Sequence, residues 1–371
     1  MAALFLDSLI YQRMRYILGG LILISLVASI RAIADDIQPY ATLQSISYSQ
    51  PIAISAMLDQ WDAPFHGGDK ALTYNKAELG VSGHGWQLGV FTRYDYLMTF
   101  SDQTAQLYYL TKNHLPLETG KQYSLRIEAR SQFSRGLRLG FHRQLTASLQ
   151  AGAAISYLQG ISLTDGGIHG TALVTADKDY DFQFDANYVY SRDVLFSRDV
   201  QAPHGNGYSL DIKLDWQANE RLAGQLTVVD LLGKIFWDNA PYTIATATSA
   251  TKTYDADGYV RYDPVISGFE SNRDFAQTLP RKIFAAAQYQ WNAQAELLAE
   301  LQDLDIARFT SVGAGWRLPG ARQLQGLYNI TARALTLRYQ QPQLRFEISS
   351  DKLNVHQARY FAFTLSYRQF F

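Results

Sequence analysis

The sequence predicts an all-β fold, a closed antiparallel transmembrane β-barrel of about 14 strands, within a range of about 12–16. Three observations carry this prediction: an N-terminal export signal, long strands of alternating polarity, and an aromatic strand at the C-terminus. The composition agrees with it, because 24 Tyr, 19 Phe and 6 Trp accompany a mean hydropathy of only -0.16. Such a barrel is apolar outside, polar inside and girdled by aromatic rings.

Charge and cysteine content exclude several other classes of protein. The net charge of -1 gives no reason to expect a nucleic-acid partner. The chain has no cysteine, which excludes disulfides, thiol chemistry, Cys-ligated zinc and a lipid anchor on an N-terminal cysteine.

The N-terminus has the features of a secretory signal peptide. Arg13 and Arg15 precede an apolar stretch over 16–30, and Ala32-Ile33-Ala34 forms a small-residue cleavage site. The apolar stretch is shorter than the roughly 20 residues of a membrane-spanning helix. We therefore expect residues 1–34 to be a signal peptide cleaved after Ala34, and the mature protein to reside in the bacterial outer membrane.

Period-two alternation dominates the chain from residue 71 onward and predicts that 71–371 form the barrel. In one strand, Trp86, Leu88 and Val90 share a face, whereas Arg93 and Asp95 lie on the other. The same pattern recurs over 123–130, 137–142, 181–190, 208–217, 296–302 and 344–348. A soluble sandwich would also alternate, but its strands average only about 5–6 residues.

The charged residues on the polar faces are the candidates for lining the lumen. The set comprises Arg93, Asp95, Arg126, Glu128, Arg130, Arg138, Asp181, Asp185, Glu296, Glu300, Arg345 and Glu347. Two interpretations stay open for each residue: it contacts a solute, or it belongs to a paired network that fills the barrel and makes it rigid.

Residues 35–70 are weakly periodic and contain Pro39, Pro51 and Pro64. We expect an N-terminal segment distinct from the barrel, either a plug inside the lumen or a periplasmic extension. A first, irregular strand is the remaining alternative.

The C-terminal segment has the pattern of a membrane-insertion strand. Its apolar face comprises Phe361, Phe363, Leu365, Tyr367 and Phe371. An exposed strand edge of this kind would promote aggregation in a soluble protein. A final strand ending in Phe resembles the signal read by the barrel-assembly machinery, and its pairing with the first strand would close the barrel.

Two stretches resemble the long-chain fatty-acid transporter (FadL-like) class of outer-membrane barrels. They are 226–237 (LTVVDLLGKIFW) and 278–292 (TLPRKIFAAAQYQWN), the second with a Leu-Pro that opens a strand. The resemblance implies 14 strands, an N-terminal plug and a route for hydrophobic ligands. The chain has no Asn-Pro-Ala near the mature N-terminus, so no ligand-binding residue is carried over from that class.

The predicted function is a channel or transporter for small or amphiphilic solutes, including hydrophobic ones. One alternative is a structural barrel that docks a secretion, pilus or polysaccharide-export assembly, and another is a membrane-embedded hydrolase. No HExxH motif, metal-ligand spacing or phosphate loop occurs, so we expect no enzyme activity, catalytic residue, cofactor or metal. The expected partners are the bilayer, lipopolysaccharide, the assembly machinery and a small solute.

The leader gives a first testable prediction. Mass spectrometry of the protein purified from outer membranes should find Asp35 at the N-terminus, because the cleavage site ends at Ala34. A chain that retains residues 16–30 would contradict the prediction and would indicate a membrane anchor.

Overall fold

A computed structural model describes residues 37–249, 252–254, 260–262 and 265–368. The predicted signal peptide and Phe371 of the insertion strand lie outside these residues. Among the described residues, no helix is long and apolar enough to cross a membrane.

Strands make up most of the described chain. They are β1 (Gln38–Ser49), β2 (Lys70–Gly83), β3 (Trp86–Phe100), β4 (Gln122–Thr146), β5 (Leu149–Ala176), β6 (Asp179–Tyr190), β7 (His204–Gln217), β8 (Leu222–Thr248), β9 (Lys252–Tyr254), β10 (Val260–Tyr262), β11 (Val265–Thr278), β12 (Lys282–Gln290), β13 (Ala295–Asp303), β14 (Arg308–Leu318), β15 (Arg322–Asn329), β16 (Ala334–Gln340), β17 (Leu344–Ser350) and β18 (Tyr360–Arg368). Two short α-helices, α1 (Ile54–Leu58) and α2 (Asp102–Lys112), and a 3-10 turn at Val355–Gln357 lie in the loops.

The strands close into one antiparallel barrel. Most wall strands pair with their neighbours in sequence, and β18 pairs with β1 from Tyr40 opposite Arg368 to Tyr48 opposite Tyr360. In the described residues the sheet has 16 segments, but β6 and β7 share one place in the wall, and so do β11 and β12. The barrel therefore has 14 strands, and the predicted fold class is confirmed.

The two ends of the barrel differ in the length of their connections. Short turns at one end span 84–85, 147–148, 218–221, 291–294, 319–321 and 341–343. The first and last described strands also begin and end there, because Tyr40 lies opposite Arg368. Outer-membrane barrels have short periplasmic turns and longer extracellular loops, so this is the periplasmic end.

The height of the wall is uneven around the barrel. β4, β5 and β8 have 25, 28 and 27 residues, whereas β16 and β17 have 7 each. About 9–11 residues suffice for a tilted strand to cross a bilayer. Because the periplasmic turns are short, the surplus length of β4, β5, β6, β8 and β11 projects beyond the extracellular side; we call this the extracellular extension.

Large apolar side chains cover the outer surface of the wall. Exposed examples include Leu88, Val90, Leu137, Ile155, Leu297, Val312, Leu335 and Leu337. Surface this apolar is favourable in lipid and unfavourable in water. The closed barrel and its apolar belt together make the chain an outer-membrane protein.

Loops cover one face of the extracellular extension. Tyr96 and Met98, which continue the outward face of β3, are buried beneath residues of the β1–β2 loop and α2, among them Trp61 and Tyr108. The rings of Trp61 and Tyr108 meet edge to face, 4.7 Å apart. Ser101 caps α2 by accepting from the Thr104 amide at 3.1 Å.

The described part of the segment 35–70 corrects the expectation of a plug or a periplasmic extension and agrees with the alternative of a first strand. β1 (Gln38–Ser49) is a wall strand between β18 and β2, and the following residues form an extracellular loop that holds α1. The described part is therefore neither a plug nor a periplasmic extension. Ser45 and Ser47 occupy outward positions of β1 and the apolar Ile46 between them faces inward, so this stretch lacks the usual apolar-outward alternation.

Closure by the first and last strands gives a second prediction. Leu43 lies opposite Leu365 on the outward face, and facing Cα atoms of antiparallel strands are about 4.5–5.5 Å apart, within reach of a disulfide. L43C/L365C should oxidise to a species that migrates faster than the reduced form on denaturing gels, because the chain is then cyclised. L43C/I348C pairs β1 with a non-neighbouring strand and should stay reduced; the same shift in both variants would contradict the closure.

Candidate functional site: a lumen closed by side chains

An irregularity in β8 points an acidic side chain into the lumen. Leu210 of β7 pairs with Leu232, but Ile212 pairs with Val228, so three residues of β8 face the single Asp211. Asp230 occupies this bulge with a positive φ of 56°. Asp tolerates the left-handed conformation better than most residues, and bulges commonly redirect a side chain.

Asp230 is the centre of an ionic cluster that crosses the lumen. Arg93 of β3 donates to both of its carboxylate oxygens, at 2.8 and 2.5 Å, and also binds Asp95. Lys282 of β12 donates to Asp230 at 3.1 Å, to Asp95 at 3.2 Å and to the Pro280 carbonyl at 2.9 Å. The four charges balance, and each of the four residues is at most 4% exposed.

Polar neighbours hold this cluster in place. Ser209 donates to Asp230 at 2.7 Å, and the Asp230 amide donates to Asp211 at 3.1 Å. Gln132 donates to Asp95 at 3.2 Å. The Tyr74 ring lies 5.0 Å from Lys282 Nζ and 5.7 Å from the Arg93 guanidinium carbon, within the range of cation–π attraction.

Two apolar clusters fill the space around the ionic one. On the side of β1–β3 and β14–β18, Ile46, Leu72, Leu97, Phe309 and Tyr360 pack together. On the opposite side, the second cluster comprises Phe91, Leu158, Leu163, Val189, Ile235, Trp237, Ala240 and Leu279. Since these side chains are buried, the lumen is closed at mid-height in this conformation.

Trp237 lies where a wall strand is interrupted. β6 ends at Tyr190 and β7 begins at His204, and the residues between them leave the wall. The indole rests on two glycines: a Cβ on Gly160 would lie 2.5 Å from it, and one on Gly205 2.6 Å. Its N–H donates to Gln277 at 3.2 Å. Glycine is therefore required at both positions if the ring is to lie against the wall.

Below the closure, a cavity of about 770 Å³ faces the periplasm; we call it the periplasmic cup. Two further ionic networks lie in its wall. In one, Glu78 binds Lys76 at 2.7 Å and Tyr40 at 2.7 Å. In the other, Arg338 binds Glu300 at 2.7 Å and Glu347 at 2.6 Å. The lower lumen is thus polar, with its charges paired.

The sequence-predicted residues fall into two groups. Six lie in or beside the buried networks: Arg93, Asp95, Arg138, Glu296, Glu300 and Glu347. Arg345 also faces the cup and binds Glu347 at 2.8 Å, with 41% of its side chain exposed.

The other five, Arg126, Glu128, Arg130, Asp181 and Asp185, lie at or above the extracellular rim. The placement of these five in the lumen is corrected: they share the lumen face, but at a height where the shorter opposite strands have ended. There, Glu128 binds His169 at 2.6 Å, and Arg130 approaches Asp165 at 3.8 Å.

Sequence reasoning missed three of the principal charges, Asp230, Lys282 and Arg338. Asp230 stands alone in an apolar run (LTVVDLLG), and that isolation was the available signal. Lys282 follows the Leu-Pro that precedes β12. Because it begins the strand, the sequence gave no reason to expect its side chain to be buried. Among the described residues, no group of three or more His, Asp or Glu side chains is placed to hold a metal ion.

Comparison with known proteins adds a likeness in fold. No family model and no curated protein matches the chain. Among solved structures, the deltaS2S3 mutant of the monoaromatic hydrocarbon channel TodX has a TM-score of 0.46 at 12% identity, and the Pseudomonas putida toluene transporter TodX has 0.40 at 12%. A Pseudomonas aeruginosa FadL homologue has 0.30 at 11%; all three comparisons cover 91% of each chain.

The 14 strands of the barrel agree with what the resemblance of 226–237 and 278–292 to the FadL-like class implies. The main departure from that class concerns the N-terminal plug. Where the resemblance implies a plug, the described chain has the wall strand β1.

The ionic cluster gives a third prediction, about stability. Arg93→Met leaves two buried carboxylates with one cation, and breaking a buried pair in this way costs about 3–5 kcal/mol. Arg308→Met removes the exposed pair with Asp303, for which about 0–1 kcal/mol is expected. Urea unfolding in detergent, followed by tryptophan fluorescence, measures both; equal effects would mean that the cluster does not stabilise the closed lumen.

Proposed function

We propose that the barrel transports small hydrophobic or amphiphilic solutes across the outer membrane. The observation that carries the proposal is an apolar track on the inward face of the extracellular extension. It begins at Phe269 and Ile244, which are 58% and 46% exposed, and continues through Tyr242 and Phe275 to the buried Trp237. The rings of Tyr242 and Phe269 are 6.0 Å apart.

Exposure of large apolar side chains above the membrane is unfavourable in water, and a patch of this kind commonly marks a binding surface. The track supports capture of an apolar solute at the extracellular end and its descent toward Trp237. Arg273 lies over the track, with its guanidinium 4.6 Å from the Tyr242 ring and 5.9 Å from the Phe275 ring. A cation at this place suits amphiphilic solutes with an acidic head.

The ionic cluster argues against free diffusion of polar solutes through the centre. A straight path would have to separate Arg93 and Lys282 from Asp230, all of them buried. An apolar solute can instead follow the track along the wall, where its contacts do not leave a charge unpaired.

The closed lumen also favours a second function, that of an accessory barrel which docks a larger export assembly. Such a barrel needs no conducting path, and paired charges would serve only to make its wall rigid. Chemical crosslinking in intact cells followed by purification separates the two: stoichiometric capture of a periplasmic partner supports docking, and solute uptake without one supports transport.

A fourth prediction tests transport through the track. Cells that produce the protein should take up radiolabelled toluene or laurate faster than cells that lack it, with glucose uptake unchanged. F269S/I244S should lower the initial rate by about 30-fold or more, since each of the two removed apolar contacts weakens binding by about 1–3 kcal/mol.

The matched control is Ile330→Ser, an exposed apolar residue in the β15–β16 loop away from the track. It should leave the rate unchanged. Uptake that is insensitive to F269S/I244S, or equal in cells without the protein, would refute the proposed route.

A further inference from the structure

The periplasmic cup has an unusual lining for which the transport of apolar solutes gives no reason. Glutamine is the commonest residue type in it, and the lining includes Gln44, Gln87, Gln150, Gln225, Gln302 and Gln340. Its volume of about 770 Å³ lies in the range of small-molecule sites, about 300–1,000 Å³. A bound molecule of modest size fits in it, whereas a folded domain does not.

The charges in the cup cancel one another. Lys76 binds Glu78, Arg338 binds Glu300 and Glu347, and Arg138 lies 3.4 Å from Asp211. Each cation has an anionic partner within 4 Å, and the remaining carboxylate of the lining, Asp215, binds Lys213 at 3.0 Å, so the cup has no unpaired charge to attract an ion. The groups that remain available to a ligand are mainly neutral amides.

Three polar atoms of residues that line the cup are buried and have no hydrogen-bond partner within the described part of the chain. They are the side-chain oxygen of Gln302, an acceptor, and Nε of Arg138 and of Arg345, both donors. Buried polar atoms are nearly always paired with protein or with another molecule. One acceptor and two donors call for a ligand or water whose groups both give and accept hydrogen bonds.

We propose that the periplasmic cup binds an uncharged oligosaccharide. Each sugar hydroxyl donates one hydrogen bond and accepts others, and each glutamine amide does the same, so the two surfaces match without any charge. An apolar solute would leave the amides unpaired, which is costly. This proposal goes beyond transport and does not depend on it.

A peptide is the competing ligand, and the wall disfavours it. Extended peptides are commonly held by addition to a free sheet edge. Around the cup, β1, β2, β12, β13, β16 and β17 are each paired on both sides, so no edge is free. A peptide would have to rely on side-chain amides alone.

The experiment uses the whole barrel in lipid nanodiscs, where both ends are accessible. Maltohexaose is the probe, and a capped six-residue Gly-Ser peptide is the competing ligand; binding is measured by calorimetry and by saturation-transfer NMR. We expect saturable binding of maltohexaose with a Kd below about 1 mM, and no binding of the peptide.

Q44M/Q340M removes two amides at nearly constant volume and should weaken binding roughly tenfold, since each lost hydrogen bond accounts for a factor of about 2–10. Gln183→Met, on the extracellular extension, is the matched control and should bind normally. If the double variant fails to fold, judged by heat-modifiable gel migration, Gln150→Met replaces it.

Three results would overturn the proposal: no saturable binding of maltohexaose, binding of the peptide in its place, or unchanged binding by the cup variants. None of them bears on toluene or laurate uptake, so failure of the cup and failure of the transport route are distinguishable.

Discussion

The contact on which the structure depends is the bidentate pairing of Arg93 with Asp230 across the lumen. A 14-stranded barrel leaves an interior that must be filled by side chains, by a plug or by water. Among the described residues, the filling comes from side chains of the wall itself. Because both partners are buried, loss of either one leaves the buried cluster with an unbalanced charge, so the pair fixes the relative positions of β3 and β8.

The other irregular features of the wall follow from this pairing. The bulge at Asp230 brings a carboxylate inward, and the break between β11 and β12 places Lys282 beside it. The resulting cluster divides the lumen into an apolar upper part and a polar cup. The proposed transport of apolar solutes therefore belongs to the wall around Trp237, and the proposed recognition of polar molecules belongs to the periplasmic end.

The sequence predicts the architecture well because the membrane imposes a simple rule on each strand. Leu88 and Val90 must face lipid and Arg93 must not, and this alternation can be read without any knowledge of the fold. The rule fails in β1, where Ser45 and Ser47 face outward. The alternation also does not give the position of a residue along the barrel axis. Glu128 and Asp185 were therefore assigned to the correct face of the wall but at the wrong height. The pairing of Arg93 with Asp230 spans 137 positions, and no local pattern identifies such a partner.

The ionic cluster also constrains how the chain can change over generations. Loss of Asp230 alone leaves two cations facing one carboxylate, and loss of Arg93 alone leaves the reverse imbalance. A lineage can therefore abandon the cluster only by matched, near-simultaneous replacements, or through a weakened intermediate. The four positions are inherited as one unit, and the residues at 93, 95, 230 and 282 should covary among descendants even though they stand far apart in the gene.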